Sequence, residues 1–158
     1  MEDGLLSERS SPGAPAARPA LRDLRRDDDP PPGRVVVERR PDGGLEARTR
    51  DVTLAVGRVG PGFRSVELLL AALGSCMLGT MLVFAENSAI ELDGVRLELE
   101  PVLAGRPERV DEIRMRMVVA GDVEPRRLAS LRRVAEHCKV HSTLERGPLL
   151  SLEVECRG

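Results

Sequence analysis

The chain has no tryptophan and no tyrosine, and only two phenylalanines, Phe63 and Phe84. Stacking of nucleobases on aromatic platforms is therefore excluded as a design. A surplus of one charge is also missing: 24 basic residues stand against 26 acidic ones, for a net charge of −2. The basic patch that marks a nucleic-acid surface is not provided. The core has to be built from Leu, Val, Ala, Ile and Met, and a small domain built on so light a core gains from oligomerisation. Cysteine is scarce, three in 158 residues. Met1 to Arg26 has no apolar run of the secretory kind and is rich in Pro, Arg and Asp, so a reducing, cytoplasmic compartment is expected. There a cysteine pair serves catalysis or metal binding more often than a structural disulfide.

What the chain does have is one long apolar run, Val66 to Ala85, with Cys76 inside it. Twenty residues are enough to span a bilayer. Glu67 near its start, and Gly74, Ser75, Gly79 and Thr80 within it, dilute the run, and the rest of the chain is strongly charged. A central helix buried on nearly all sides is the expected structure, with no membrane partner.

Residues 1–32, punctuated by Pro12, Pro15, Pro19 and Pro30 to Pro32, are expected to be a disordered tail, and residues 33–158 one domain. Arg34 to Arg39 has strand composition, Pro41-Asp42-Gly43-Gly44 is a turn, and Leu45 to Val56 is expected to be the return strand of a hairpin. The central helix follows the loop Gly57 to Arg64, with Ser65 as the expected N-cap. Val95 to Leu103 and Glu112 to Val119 alternate apolar and polar residues, as half-buried strands do, around a charged turn at Arg106 to Asp111. Glu124 to Cys138 carries Leu128, Leu131, Val134 and Ala135 at helical spacing, and Leu149 to Cys156 alternates as a closing strand. The order β-β-α-β-β-α-β implies an α+β fold, an antiparallel sheet covered by a long buried central helix and a second helix.

Three cysteines leave several readings open. Cys76 is either a small buried hydrophobe or a nucleophile. Mid-helix it draws little from the helix dipole, so a thiolate there needs a cation from elsewhere in the fold. Cys138 stands in Glu136-His137-Cys138-Lys139-Val140-His141-Ser142. It is the end of a helix, or one of three ligands with His137 and His141, or a second redox thiol whose neighbours Lys139 and His141 tune it. The metal reading has poor geometry and no second cluster to complete four ligands. Cys156, close to the end, is given no role.

Within Val66 to Cys76, the run Glu-Leu-Leu-Leu-Ala-Ala-Leu-Gly-Ser-Cys is similar to the first signature of the OsmC/Ohr family (osmotically induced and organic hydroperoxide resistance proteins), in its general OsmC-like branch. Cys138-Lys139-Val140-His141-Ser142-Thr143-Leu144 resembles the second, which reads Cys-Pro-Val-His-x-Thr-Leu. The order and separation of the two signatures, and Ala120-Gly121-Asp122 before the second helix, are similar too, over about residues 34 to 157. The resemblance implies a swapped, intertwined homodimer in which two central helices pack together and the active sites lie at the subunit interface. It implies thiol-dependent peroxidase activity on organic hydroperoxides, with Cys76 as the attacking thiolate, Cys138 as its disulfide partner, a dithiol as reductant and no cofactor. In the hydroperoxide-resistance branch an arginine near the first hairpin turn activates the thiolate, held by a glutamate just ahead of the central helix. Glu67 matches that glutamate, and Arg40 is the nearest match to the arginine, with Arg48 and Arg50 as rivals. Lys139 departs from the pattern where proline is usual. The reading from another class is a non-catalytic OsmC-like protein that binds a partner or senses redox state.

Overall fold

A computed structural model describes residues 33–57 and 61–156. The expected tail over residues 1–32 lies outside the described residues. The chain divides into two compact units, residues 1–55 and 56–158.

In the first unit β1 (Val36–Arg39) pairs antiparallel with β2 (Leu45–Thr49), Val36 opposite Arg48 and Arg39 opposite Leu45. The turn between them closes by Arg40 N–H to the Gly44 carbonyl (2.8 Å) and Gly43 N–H to the Arg40 carbonyl (3.0 Å). Gly43 takes φ +86° there, a conformation only glycine adopts without strain. The Asp42 carboxylate accepts from Gly44 N–H at 2.9 Å and from the Arg40 guanidinium at 2.8 Å. The expected single return strand is in fact two, because Arg50 at φ +50° turns the chain and β3 (Val52–Val56) folds back onto β2.

In the second unit α1 spans Ser65–Asn87. Its N-cap is Arg64 rather than Ser65, and the Glu67 carboxylate accepts the Arg64 N–H at 2.9 Å. By length and composition α1 would pass for a membrane span. One of its faces, Leu70, Leu73, Gly74, Met77, Met81 and Ala85, is buried within the protein. Met77 and Met81 are core filling, next to Leu131, Ala135 and Cys138. β4 (Gly94–Gly105) and β5 (Glu108–Ala120) form one long antiparallel hairpin. Both strands exceed the expected spans, since the charged stretch from Arg106 to Asp111 turns on Arg106 and Pro107 alone and the rest joins β5. Leu97, Leu99, Ile113 and Met117 of the hairpin pack against the core, while Glu98 faces outward between Arg96 (2.9 Å) and Arg116 (3.6 Å). Helix and hairpin come close at Gly74, where a Cβ would lie 2.9 Å from Leu99 Cδ1.

Two further expectations are corrected. The single second helix is broken into α2 (Pro125–Glu136) and α3 (Lys139–Arg146). The closing strand over Leu149 to Cys156 is not formed: this stretch has no regular secondary structure, and Leu150, Leu152 and Val154 are exposed. An alternating strand needs a neighbouring edge, and none is paired with it among the described residues. The fold remains α+β, with antiparallel sheets and three helices.

Candidate active site

The break between α2 and α3 builds the site. His137 closes α2, its N–H bonded to the Val134 carbonyl at 3.1 Å and its ring Nδ1 2.7 Å from the Arg133 carbonyl oxygen. Cys138 then swings out to an extended conformation (φ −68°, ψ 156°) and becomes the N-cap of α3. Its carbonyl accepts the first helical bond, from Ser142 N–H at 3.0 Å, and its sulfur accepts from His141 N–H at 3.4 Å. Cys138 is therefore the start of a helix, not the end of one. His137 and His141 belong to different helices, so the shared face assumed for a metal site does not exist.

A helix start leaves its first N–H groups without intrahelical partners. In α3 those of Lys139 and Val140 act on Cys76, which α1 presents from its middle and which packs, like Val140, against the cluster that holds Cys138. The Cys138 thiol hydrogen-bonds to the same sulfur. The two cysteines thus meet at the positive end of a short helix. Cys76 is half-buried and Cys138 is 1% exposed.

These surroundings drive the two thiols apart in acidity. The Val140 N–H, assisted by the Cys138 thiol, the Lys139 N–H and the Lys139 charge, pulls the Cys76 pKa below the ordinary cysteine value against the opposing effect of burial. Burial raises that of Cys138, and a negative neighbour at Cys76 raises it further, against the His141 and Val140 N–H groups. The sign is that Cys76 ionises first as pH rises and Cys138 keeps its proton, which it offers to the Cys76 sulfur. The two thiols thus differ in acidity, with Cys76 the more acidic.

Sequence reasoning finds both cysteines but not what activates them. It asks for a cation to reach a mid-helix thiol, whereas backbone N–H groups of α3 arrive first. No glycine or proline lies between Pro125 and Gly147 to mark the break, so periodicity alone carries one helix through Cys138.

A cavity that neither cysteine lines lies along α1 at Leu69 and Leu73. It measures about 390 Å³ and is bounded also by Ile113 and Met115 of β5, and His141 and Leu144 of α3. Leu69, Leu73 and Cys76 follow one another at helical spacing on α1. The lining is mixed, since Asp111, Glu112 and Glu145 also border it, and Phe84 lies elsewhere, beside Ser88, Ile90 and Arg127. The His141 ring faces Glu145, Nδ1 to Oε2 at 3.5 Å.

Of the other two expected site residues, Glu67 sits in the first turn of α1, with one carboxylate oxygen committed to the Arg64 N–H. Nine residues separate it from Cys76, about 13 Å along the axis at 1.5 Å per residue. Arg40 lies in the first hairpin turn, paired with Asp42, and its Nε has no hydrogen-bond partner among the described residues. Of the rivals, Arg48 lies 3.7 Å from Glu38, and Arg50 forms the turn into β3.

Fold and site together define an α+β protein whose two distant cysteines meet where one helix begins against the flank of another. The chain belongs to the OsmC-like family: the family model described as OsmC-like protein matches residues 58–153. Among solved structures it is similar to the OsmC-like protein from Mycoplasma pneumoniae, at 17% identity and a TM-score of 0.65, over 71% of this chain and 86% of that one. It is similar to the organic hydroperoxide resistance protein OhrB of Bacillus subtilis at 18% identity and a TM-score of 0.51, over 72% and 90%. For the organic hydroperoxide resistance protein OsmC from Legionella pneumophila the values are 17% and 0.52, over 75% and 93%. At such identities the likeness is one of fold. No curated protein matches the chain.

Proposed function

We propose that the protein is a thiol-dependent peroxidase that reduces organic hydroperoxides to alcohols in the cytoplasm. The observation that carries this reading is the packing of Cys76 against Cys138 where α3 begins, in surroundings that lower the pKa of the first thiol and raise that of the second. The Cys76 thiolate attacks the terminal oxygen of the hydroperoxide. A sulfur–oxygen bond forms, the O–O bond breaks, and the alkoxide takes a proton and leaves as alcohol. Cys76 is then a sulfenic acid. The Cys138 sulfur, giving up its proton, attacks the Cys76 sulfur, and hydroxide leaves as water. The resulting Cys76–Cys138 disulfide takes two electrons and two protons from a dithiol, which itself becomes a disulfide. Leu69, Leu73, Ile113, Met115 and Leu144 give the cavity an aliphatic part for the organic group, beside the carboxylates of Asp111, Glu112 and Glu145. Glu67 and Arg40 enter the proposal as the carboxylate and guanidinium that the family resemblance assigns to activation of the thiolate; Glu67 has one oxygen committed to the Arg64 N–H, and the Arg40 Nε has no hydrogen-bond partner among the described residues.

One equivalent of hydroperoxide is expected to remove two of the three thiols of the reduced chain, as read by thiol titration. Cys138→Ser is expected to abolish the loss of the pair. A wild type that keeps all three thiols, or a Cys138→Ser variant that still loses two, sinks the mechanism.

The working unit is proposed to be a homodimer. Leu82 and Val83 of α1 are 46% and 57% exposed, on a helix that buries one face and not nearly all sides as its sequence led us to expect. Ala71, Ala72, Ser75 and Gly79 continue that exposed face with small side chains, which let a second helix come close. Leu150, Leu152 and Val154 add a further apolar row with no strand to pair on. Sedimentation equilibrium is expected to give twice the chain mass, and a monomer at micromolar concentration refutes it.

A further inference from the structure

We propose that the outward face of α3 is the docking site for the reductant, a low-molecular-weight dithiol that carries an anionic group. The inference rests on the peroxidase reading and names the class of dithiol that reopens its disulfide. Lys139, Ser142, Thr143 and Arg146 stand at positions i, i+3, i+4 and i+7 of α3, which is one face of a helix. The four border a single depression of about 370 Å³, bounded at its far end by Gly147 and Pro148. Lys139 and Arg146 are both exposed, and among the described residues neither enters an ion pair. No acidic side chain among the described residues borders the depression. The Thr143 hydroxyl donates to the Lys139 carbonyl at 2.8 Å, whereas the Ser142 hydroxyl has no partner among the described residues and is left to donate to an anion.

The other flank of α3 has the opposite sign. Glu145 faces the His141 ring at 3.5 Å and borders, with Asp111 and Glu112, the cavity at Leu69 and Leu73. An anion is therefore repelled from one side of the helix and drawn to the other. The contrast extends beyond α3: from Glu124 to Gly147 six Lys and Arg residues stand against three Glu, in a chain whose net charge is −2. The positive stretch is the one that carries Cys138. Lys139 follows Cys138 directly, and Arg146 lies about 10 Å farther along the axis at 1.5 Å per residue. An anion held between the two leaves the thiols of a small molecule near the start of α3, where the disulfide forms. One thiolate of the reductant attacks the Cys76 sulfur, the more exposed of the pair. The Cys76–Cys138 bond breaks, and Cys138 leaves as a thiolate and takes a proton. A second thiol of the reductant then gives up its proton and attacks the mixed disulfide, and Cys76 is released reduced.

The test compares two vicinal dithiols that differ in one group, 2,3-dimercaptopropane-1-sulfonate and the neutral 2,3-dimercaptopropanol. The Cys76–Cys138 disulfide is formed with diamide on the full-length chain in a Cys156→Ser background, and its reduction is timed by peptide mass. Each rate is divided by that of the same dithiol on bis(2-hydroxyethyl) disulfide, which is neutral. At low salt the sulfonate is expected to be about three- to tenfold the faster. Arg146→Gln is expected to remove at least half of that advantage, Arg146→Lys to keep it, and Lys139→Gln combined with Arg146→Gln to abolish it. Arg126→Gln takes the same charge from the start of α2 and is expected to leave the advantage in place. Added salt is expected to shrink it. A parent chain with no preference for the sulfonate overturns the proposal. So does a preference that survives the double variant, or one that Arg126→Gln lowers as much as Arg146→Gln. A chain in which diamide forms no Cys76–Cys138 bond overturns it together with the peroxidase mechanism. No hydroperoxide enters the assay, so a chain that prefers the sulfonate but turns over no peroxide sinks only the peroxidase reading.

Discussion

Cys76→Ser is expected to abolish hydroperoxide consumption, by on the order of a thousandfold or more, because the hydroxyl that replaces the thiolate is not a nucleophile at neutral pH. The measurement is peroxide loss from cumene hydroperoxide with dithiothreitol as reductant. The size of the effect follows from the site. Three donors converge on the Cys76 sulfur, the Val140 and Lys139 N–H groups and the Cys138 thiol, and all favour the charged form. An alcohol in the same place would be hydrogen-bonded just as well but would stay neutral. The rival reading, a protein that binds a partner or senses redox state through the same thiols, predicts no turnover in the parent chain. Equal rates for parent and variant would therefore leave the cysteine pair as a sensor or as packing, and the fold untouched.

Leu131→Ala is expected to be the most damaging of the conservative core truncations, at about 2–5 kcal/mol. Leu131 has no exposed surface and sits in one cluster with Leu73, Met77, Met81, Ala135 and Cys138. The buried members of that cluster carry no aromatic ring, so each side chain holds a large share of the buried volume, with Phe84 packed only against its margin. Urea unfolding is the check: the midpoint should fall with the slope unchanged. Leu128→Ala, three residues earlier on α2 but 43% exposed, is expected to cost much less. A Leu131→Ala midpoint equal to that of Leu128→Ala would mean that the cluster is not the core. Because Cys138 belongs to the same cluster, the truncation is also expected to loosen the start of α3.

The parts of the fold legible in the sequence are those whose pattern is local. Val95, Leu97 and Leu99 alternate with charges and form β4. Ile113, Met115 and Met117 do the same in β5. The apolar run from Val66 to Ala85 forms α1 to within a residue or two at its ends. What escaped depends on backbone conformations that no residue type announces. Arg50 adopts positive φ without being glycine, and splits one expected strand into β2 and β3. Cys138 leaves the helical region in the middle of a good helical pattern, and so turns a helix end into a helix start. The row Leu150, Leu152 and Val154 has the alternation of a strand, yet pairing is a property of two segments, and the second is not in its own pattern. For the site, the two cysteines were visible as types and spacing, whereas the donors that make one of them acidic are main-chain atoms and leave no letter in the sequence.

The glycine of the Gly-Ser-Cys triplet has a mechanical meaning. At Gly74 the missing methyl lets Leu99 of β4 lie against the backbone of α1. The rod thereby rests on the hairpin two positions before the Cys76 sulfur. A thiol that must be aimed at amide hydrogens on another helix tolerates little rolling or sliding of the rod that bears it. The signature thus pairs a fulcrum with a working tip, and the hydrogen atom at position 74 serves as the bearing surface.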